Sequence, residues 1–145
     1  MSLRVSSELM AEIGRHGEER YPEEAAGLLL GAVDGETRSA RRVLPLANVF
    51  DSEQRGRRYL INPLDILHAE DEAERVGMDV VGVFHSHPDH PPTPSKFDLD
   101  WAVPWYVYLI TSVREGVASE SRAWKLHDDH SQMIEELLTV EQEAR

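Results

Sequence analysis

The sequence predicts an α+β domain built around a mixed β-sheet. Short β-branched and aromatic runs, at residues 79–84, 105–111 and 121–126, alternate with amphipathic stretches of helical period. The turn pair Asp34-Gly35 joins two further runs directly as a hairpin, so antiparallel neighbours accompany strands separated by helices. A length of 145 residues, with no repeat, linker or second domain, fits one domain over 1–145 with a real hydrophobic core.

Along the chain, Ser7 reads as a helix N-cap, with Glu8 in the first turn and Leu9, Met10 and Ile13 as an apolar stripe. Tyr21-Pro22 closes that helix. Residues 25–33 form the first hairpin strand, and its partner runs through Ala40 to Val49. The charged stretch 51–58 is loop, and Tyr59-Leu60-Ile61 makes a short strand. Asn62 is an N-cap followed by proline at the first helical position, and the helix carries Leu64, Leu67 and Ala73 inward until it ends near Gly77. A strand then leads into His85. Residues 89–94 are proline-rich loop, and Ser95 starts a short helix with Asp98 in its first turn. Two strands, 105–111 and 121–126, flank the turn Arg114-Glu115-Gly116. Residues 129–143, with Met133, Ile134, Leu137, Leu138 and Val140, read as a terminal amphipathic helix.

Composition narrows the function classes. There is no cysteine, which excludes a disulfide framework and cysteine-based zinc sites. The formal net charge is -12, and Lys96 and Lys125 are the lysines. That balance argues against a nucleic-acid partner, which needs cations to neutralise phosphates, and is read as a solvated surface. No apolar run approaches a membrane span and the N-terminus lacks a signal-peptide pattern, so a soluble cytoplasmic protein without a membrane partner is expected.

The chemistry concentrates at His85-Ser86-His87-Pro88, followed after positions 88–94 by Ser95 and then by Asp98. If the strand continues through His87, its period of two puts both imidazoles on one face and Ser86 on the other. Pro88, with no N–H to donate, ends the pairing. Zinc in hydrolases takes three nitrogen and oxygen ligands and leaves a position for water, whose pKa it lowers to about 7 in favourable cases. His85, His87 and Asp98 supply such a set. A separate carboxylate must take the water's proton and hand it to the leaving amine, for which Glu23 and Glu24 are candidates. Ser95 suits a hydrogen bond to the developing oxyanion.

These residues resemble the signature of the JAMM (MPN+) zinc metallopeptidases. The family's upstream glutamate, in a Glu-x-x-Gly context before an apolar strand, matches Glu24-Ala25-Ala26-Gly27, and by that match Glu24 is the catalytic acid/base. Ala26 departs from many compact members, which carry cysteine there, without touching a catalytic position. The resemblance implies a curved mixed sheet flanked by helices, similar to cytidine deaminase, and one Zn2+. It also implies cleavage of peptide or isopeptide bonds after the C-terminal Gly-Gly of a ubiquitin-like protein. Compact relatives are associated with sulfur-carrier proteins of that fold, the preferred partner here; the oligomeric state is left open.

Each feature has a plainer reading. A His-x-His pair alone is a weak metal signal, Asp98 suits any first helical turn, and Ser95 any N-cap. Their joint spacing is what those readings leave unexplained. His90 is read as a solvent-facing loop residue, Arg55, Arg57 and Arg58 as a solvated loop, and Trp101, Trp105 and Trp124 as core. A non-catalytic scaffold of the same family is the alternative function. A zinc deaminase lacks its His-x-Glu and Pro-Cys-x-x-Cys residues here.

Overall fold

A computed structural model describes residues 2–142. Its elements are β1 (Ser2–Ser6), α1 (Ser7–Arg20), β2 (Ala26–Asp34), β3 (Thr37–Leu46), α2 (Pro63–Arg75), β4 (Asp79–Pro88), α3 (Lys96–Trp101), β5 (Val107–Arg114), β6 (Val117–Leu126) and β7 (Met133–Glu141). The strands run in the order β1-β3-β2-β4-β5-β6-β7, and β7 pairs back onto β1 so that the sheet closes. Pairing is mixed. β1 is parallel to both β3 and β7 and β4 is parallel to β5, while the remaining neighbours are antiparallel. The domain is therefore α+β, with a mixed sheet and few helices.

Two apolar cores form on the two sides of this sheet. One gathers Leu3, Ile13, Leu29, Phe84 and Leu109 under α1; the other gathers Leu28, Leu30, Ala69, Ala73, Val83 and Tyr108 under α2. β4 feeds both by the alternation of its side chains, and its register against β2 slips between Leu29 and Leu30, leaving Val81 as the extra residue on the side of Phe84. Past that bulge the alternation is regular. Phe84 packs on the α1 side and Val83 on the α2 side, which carries His85 and His87 to the α2 side with it. Ser86 faces α1, where a side chain added at Gly17 would meet its Cβ at 3.4 Å.

Several expectations are corrected. The helix expected over 129–143 is the strand β7, with residues 143–145 outside the described residues. Its apolar spacing mimics a helix, but β1 and β6 each present a ladder to it, and strand pairing on both sides overrides the local pattern. β1 itself, a short strand before α1, lacked a sequence signal. The N-cap of α1 is Ser6, one residue early, accepting from the Leu9 N–H at 3.1 Å. In α2 the buried stripe is Ala69 and Ala73 with Ile66 packed beside them, while Leu64 and Leu67 are exposed. Residues 59–61 are not a strand. Trp101 and Trp105 are exposed at 64% and 60%, so they are not core. As expected, the strand runs through His87 and ends at Pro88, the last residue paired with β5.

At Gly82, β4 leaves no room for a side chain beside β5. A Cβ there would lie 2.4 Å from the Val107 carbonyl oxygen and 2.7 Å from its Cγ1. Gly82→Ala should therefore destabilise the domain by about 1–3 kcal/mol, as overpacking of a tight site does. Urea unfolding monitored by circular dichroism checks this, and an unchanged midpoint would show that the two strands can part.

Candidate active site

β4 brings His85 and His87 to one face, and α3 brings Asp98 to meet them. His85 Nε2 and His87 Nε2 lie 3.1 Å apart, and Asp98 Oδ2 is 3.3 Å from the first and 3.1 Å from the second. Glu24, at the entry to β2, completes a group whose candidate ligand atoms all lie within 4.8 Å of one another. All four residues are buried. The site thus assembles four residues from three places in the chain, and Glu23 is not among them.

Local bonds hold each member. Asp98 is fixed by a capping box: the Ser95 hydroxyl accepts from the Asp98 N–H at 3.0 Å, and the Ser95 N–H donates to Asp98 Oδ2 at 2.9 Å. The plain N-cap reading of Ser95 therefore describes its observed contacts. Since its oxygen accepts from Asp98, its hydroxyl hydrogen is still free to donate. His87 Nδ1 lies 2.9 Å from the Pro91 carbonyl, which can only accept, so Nδ1 carries the proton and Nε2 presents a lone pair. Ser86 ties β4 to the chain beside Glu24, accepting at its hydroxyl from the Ala25 N–H at 2.8 Å and donating its N–H to the Ala25 carbonyl at 3.0 Å.

Two contributors carried no sequence signal. The Tyr59 ring stacks on His85, with centroids 4.4 Å apart and planes at 24°. Asn48 pins the stretch that delivers it: its amide donates to the carbonyls of Glu24 and Arg58 at 2.9 and 3.0 Å, and its oxygen accepts from the N–H groups of Phe50 and Leu60 at 3.1 and 3.0 Å. These side-chain bonds stand in for the ladder that a strand over 59–61 would have needed. The arginine loop is anchored rather than merely solvated, with Arg58 over the Phe97 ring at 4.9 Å and Arg55 donating to the Phe50 carbonyl at 2.7 Å. His90 is exposed, as its loop position suggests.

Electrostatics follow from crowding. Burial pushes Glu24 up to about 8, with the nearby Asp98 charge adding and the His87 charge opposing. Burial also presses on Asp98, but His85, His87 and the Ser95 N–H together hold it well below the usual carboxylate range. Burial lowers His85, against the pull of Asp98. Burial disfavours charge on His87 as well, yet its bond to Asp98 and the charge of Glu24 outweigh this and raise it.

The donor set fits a divalent metal. Ligands at about 2.0–2.2 Å from a tetrahedral ion lie about 3.3–3.6 Å from one another, close to the spacings found among the two imidazoles and the carboxylate. Glu24 Oε1 is buried without a hydrogen-bond partner among the described residues, poised beside that triad.

Fold and site together define a hydrolase of the JAMM type. Residues 6–127 match the family model of prokaryotic homologs of the JAB domain, and the chain belongs to that family. It is 33% identical over 123 residues, 83% of this chain and 78% of the relative, to a probable TtuB-protein conjugate cleaving protease of Thermus thermophilus. It is 36% identical over 92 residues, 63% of this chain and 63% of the relative, to a desampylase of Haloferax volcanii. A solution structure of a Desulfitobacterium hafniense protein matches with a TM-score of 0.85 at 30% identity, over 99% of this chain and 95% of that one.

The raised Glu24 predicts a pH-dependent stability difference. In metal-free protein the folded carboxyl keeps its proton while the unfolded one loses it, so stability falls as pH rises from 4.5 towards about 8. Glu24→Gln removes this loss. With chelator present, the mutant should gain stability over the parent between about pH 5 and about pH 8, measured by urea unfolding. A difference that shrinks over that window would contradict the assigned direction.

Proposed function

We propose that this protein is a zinc-dependent peptidase or isopeptidase, acting as one domain on the bond after the C-terminal Gly-Gly of a ubiquitin-like or sulfur-carrier protein. The observation that carries the reading is the buried convergence of His85, His87 and Asp98, with Glu24 unpartnered beside them. The relatives named for conjugate cleavage support the substrate class. Deaminase chemistry has no support, because the chain has no cysteine to serve as ligand.

His85, His87 and Asp98 would hold the zinc, which when bound supplies a Lewis acid and brings water toward deprotonation near neutral pH. Glu24 takes the proton from the attacking water and returns it to the departing nitrogen. Burial favours the protonated form of Glu24, as returning a proton requires, while the charge of a bound metal would favour the carboxylate that accepts it. Ser95 donates its hydroxyl hydrogen to the carbonyl oxygen as negative charge builds there. The Arg55 carbonyl, accepting from the Glu24 N–H at 2.6 Å, and Ser86 with Asn48 hold the chain on either side of Glu24, so its carboxyl group needs little reorganisation. A non-catalytic scaffold would have no use for four titratable groups kept out of water at a cost to stability.

Zinc content and turnover separate these roles. Protein prepared without chelator should carry zinc that a His85→Ala/His87→Ala double mutant loses, by elemental analysis. Glu24→Gln should retain zinc and lose cleavage of a ubiquitin-like protein extended beyond its Gly-Gly, whereas Glu23→Gln stays active. Activity in Glu24→Gln with loss in Glu23→Gln would reverse the assignment. Ser95→Ala should keep its zinc, cost about 1 kcal/mol of stability as a lost cap, and slow the chemical step by about 10²–10³. Loss of metal instead would make Ser95 a support for Asp98 alone.

A further inference from the structure

The loop after β4 supplies the carbonyl that meets His87 Nδ1, and donors from other strands hold that loop in place. Pro91 and Pro92 have no N–H, so neither can donate to a turn or ladder of the loop's own. The Ser112 hydroxyl of β5 donates to the His90 carbonyl at 2.6 Å, and the Trp124 indole N–H of β6 donates to the Pro92 carbonyl at 2.9 Å. Between these two anchors stands the Pro91 carbonyl, 2.9 Å from His87 Nδ1. At the start of the loop Asp89 adopts a left-handed φ of 58°, and its carboxylate accepts from the Tyr21 hydroxyl at 2.6 Å and the Glu115 N–H at 2.8 Å.

We infer that Ser112 and Trp124 are positioning residues for His87: by anchoring the peptide groups on either side, they hold the Pro91 carbonyl at Nδ1 and so keep Nε2 turned toward His85 and Asp98. The inference rests on the reading of His87 as a metal ligand and assigns that ligand its support. Each proline ring locks φ near about −65°. With the carbonyls of His90 and Pro92 anchored, the ψ angles of Pro91 and Pro92 are the soft torsions left between them, and the middle carbonyl becomes a fixed acceptor. His87 needs one. β2 pairs with β4 only as far as His85, so at His87 the ladder is one-sided, to β5. Ser112 is the residue opposite His87 in that ladder and is fully buried. One strand position therefore pairs the ligand's backbone and anchors the loop that orients its ring. Trp124 rests its bulk on the α2-side core while its N–H reaches the loop. The need of an indole N–H for a partner accounts for one such bond. It does not account for three consecutive carbonyls, each met by a donor from a different strand.

The test reads the imidazole ring directly, by NMR of the purified protein with its metal and again after chelation. In both states the His87 Nδ1–H, shielded by the Pro91 carbonyl, should give a resolved resonance that exchanges slowly with water. Trp124→Phe keeps an aromatic ring and removes one anchoring donor; Ser112→Ala removes the other. Each should speed that exchange several-fold. Each should also weaken zinc binding about tenfold, measured by competition with a chelating dye, the low end of the scale for supports of metal-bound histidines. Thr111→Val is the comparison, because it deletes the 2.8 Å bond between the Thr111 and Ser121 hydroxyls, which joins the same two strands away from the loop. It should loosen β5 and β6 yet leave both the exchange and the zinc affinity at the parent values. Slow exchange in the parent and fast exchange in both variants, with zinc bound by none of the proteins, would overturn the ligand reading and support the anchoring. Parent-like exchange and affinity in Trp124→Phe and Ser112→Ala, or an equal change in Thr111→Val, would overturn the anchoring.

Discussion

Polar atoms that meet at hydrogen-bond distance in a buried place need a proton or a cation among them. His85 Nε2, His87 Nε2 and Asp98 Oδ2 are held at 3.1 to 3.3 Å in this way, with the His87 proton committed to the Pro91 carbonyl. Without a metal a proton must serve; burial lowers His85, whereas on His87 burial is outweighed by the Asp98 bond and the Glu24 charge. The surrounding structure exists to hold that arrangement. β4 is paired to β5 through both histidines and to β2 as far as His85, so the two imidazoles are borne on a backbone fixed by the sheet. Asp98 is fixed by a capping box at the start of a six-residue helix.

Much of this was legible in the sequence because it depends on local periodicity. The alternation of a strand puts His85 with His87 and against Ser86, and a proline after Asn62 announces α2. The order of strands in the sheet was not legible. β7 reads as a helix because Met133, Ile134, Leu137 and Leu138 repeat with near-helical spacing, and only the vacant edges of β1 and β6 decide otherwise. Trp101 and Trp105 were misplaced for a related reason. Bulk suggests burial, yet a helix as short as α3 has one inward turn, and Phe97 and Asp98 occupy it. Asn48 left no pattern at all, because its four hydrogen bonds join parts of the chain that composition cannot relate.

The two sides of the cluster differ in character, and that difference gives the site a direction. Toward Glu24 the walls are polar and fed by α1, the end of β3 and the loop over 51–58. Toward Asp98 they are aromatic and belong to the α2-side core. The loop takes part in both, since Asn48 anchors it beside Glu24 while Arg58 and Phe50 pack on Phe97 of α3. Glu24 and Tyr59, which stacks on His85, are thus both set by one connected segment.

The central claim is that His85, His87 and Asp98 form a prebuilt site for a single divalent metal. X-ray absorption at the zinc edge of the purified protein tests it most directly. The account predicts one zinc per chain, in a low-coordinate shell of nitrogen and oxygen donors that shows the multiple-scattering signature of two imidazoles. A shell without imidazole, or a spectrum unchanged when both histidines are replaced, would contradict it.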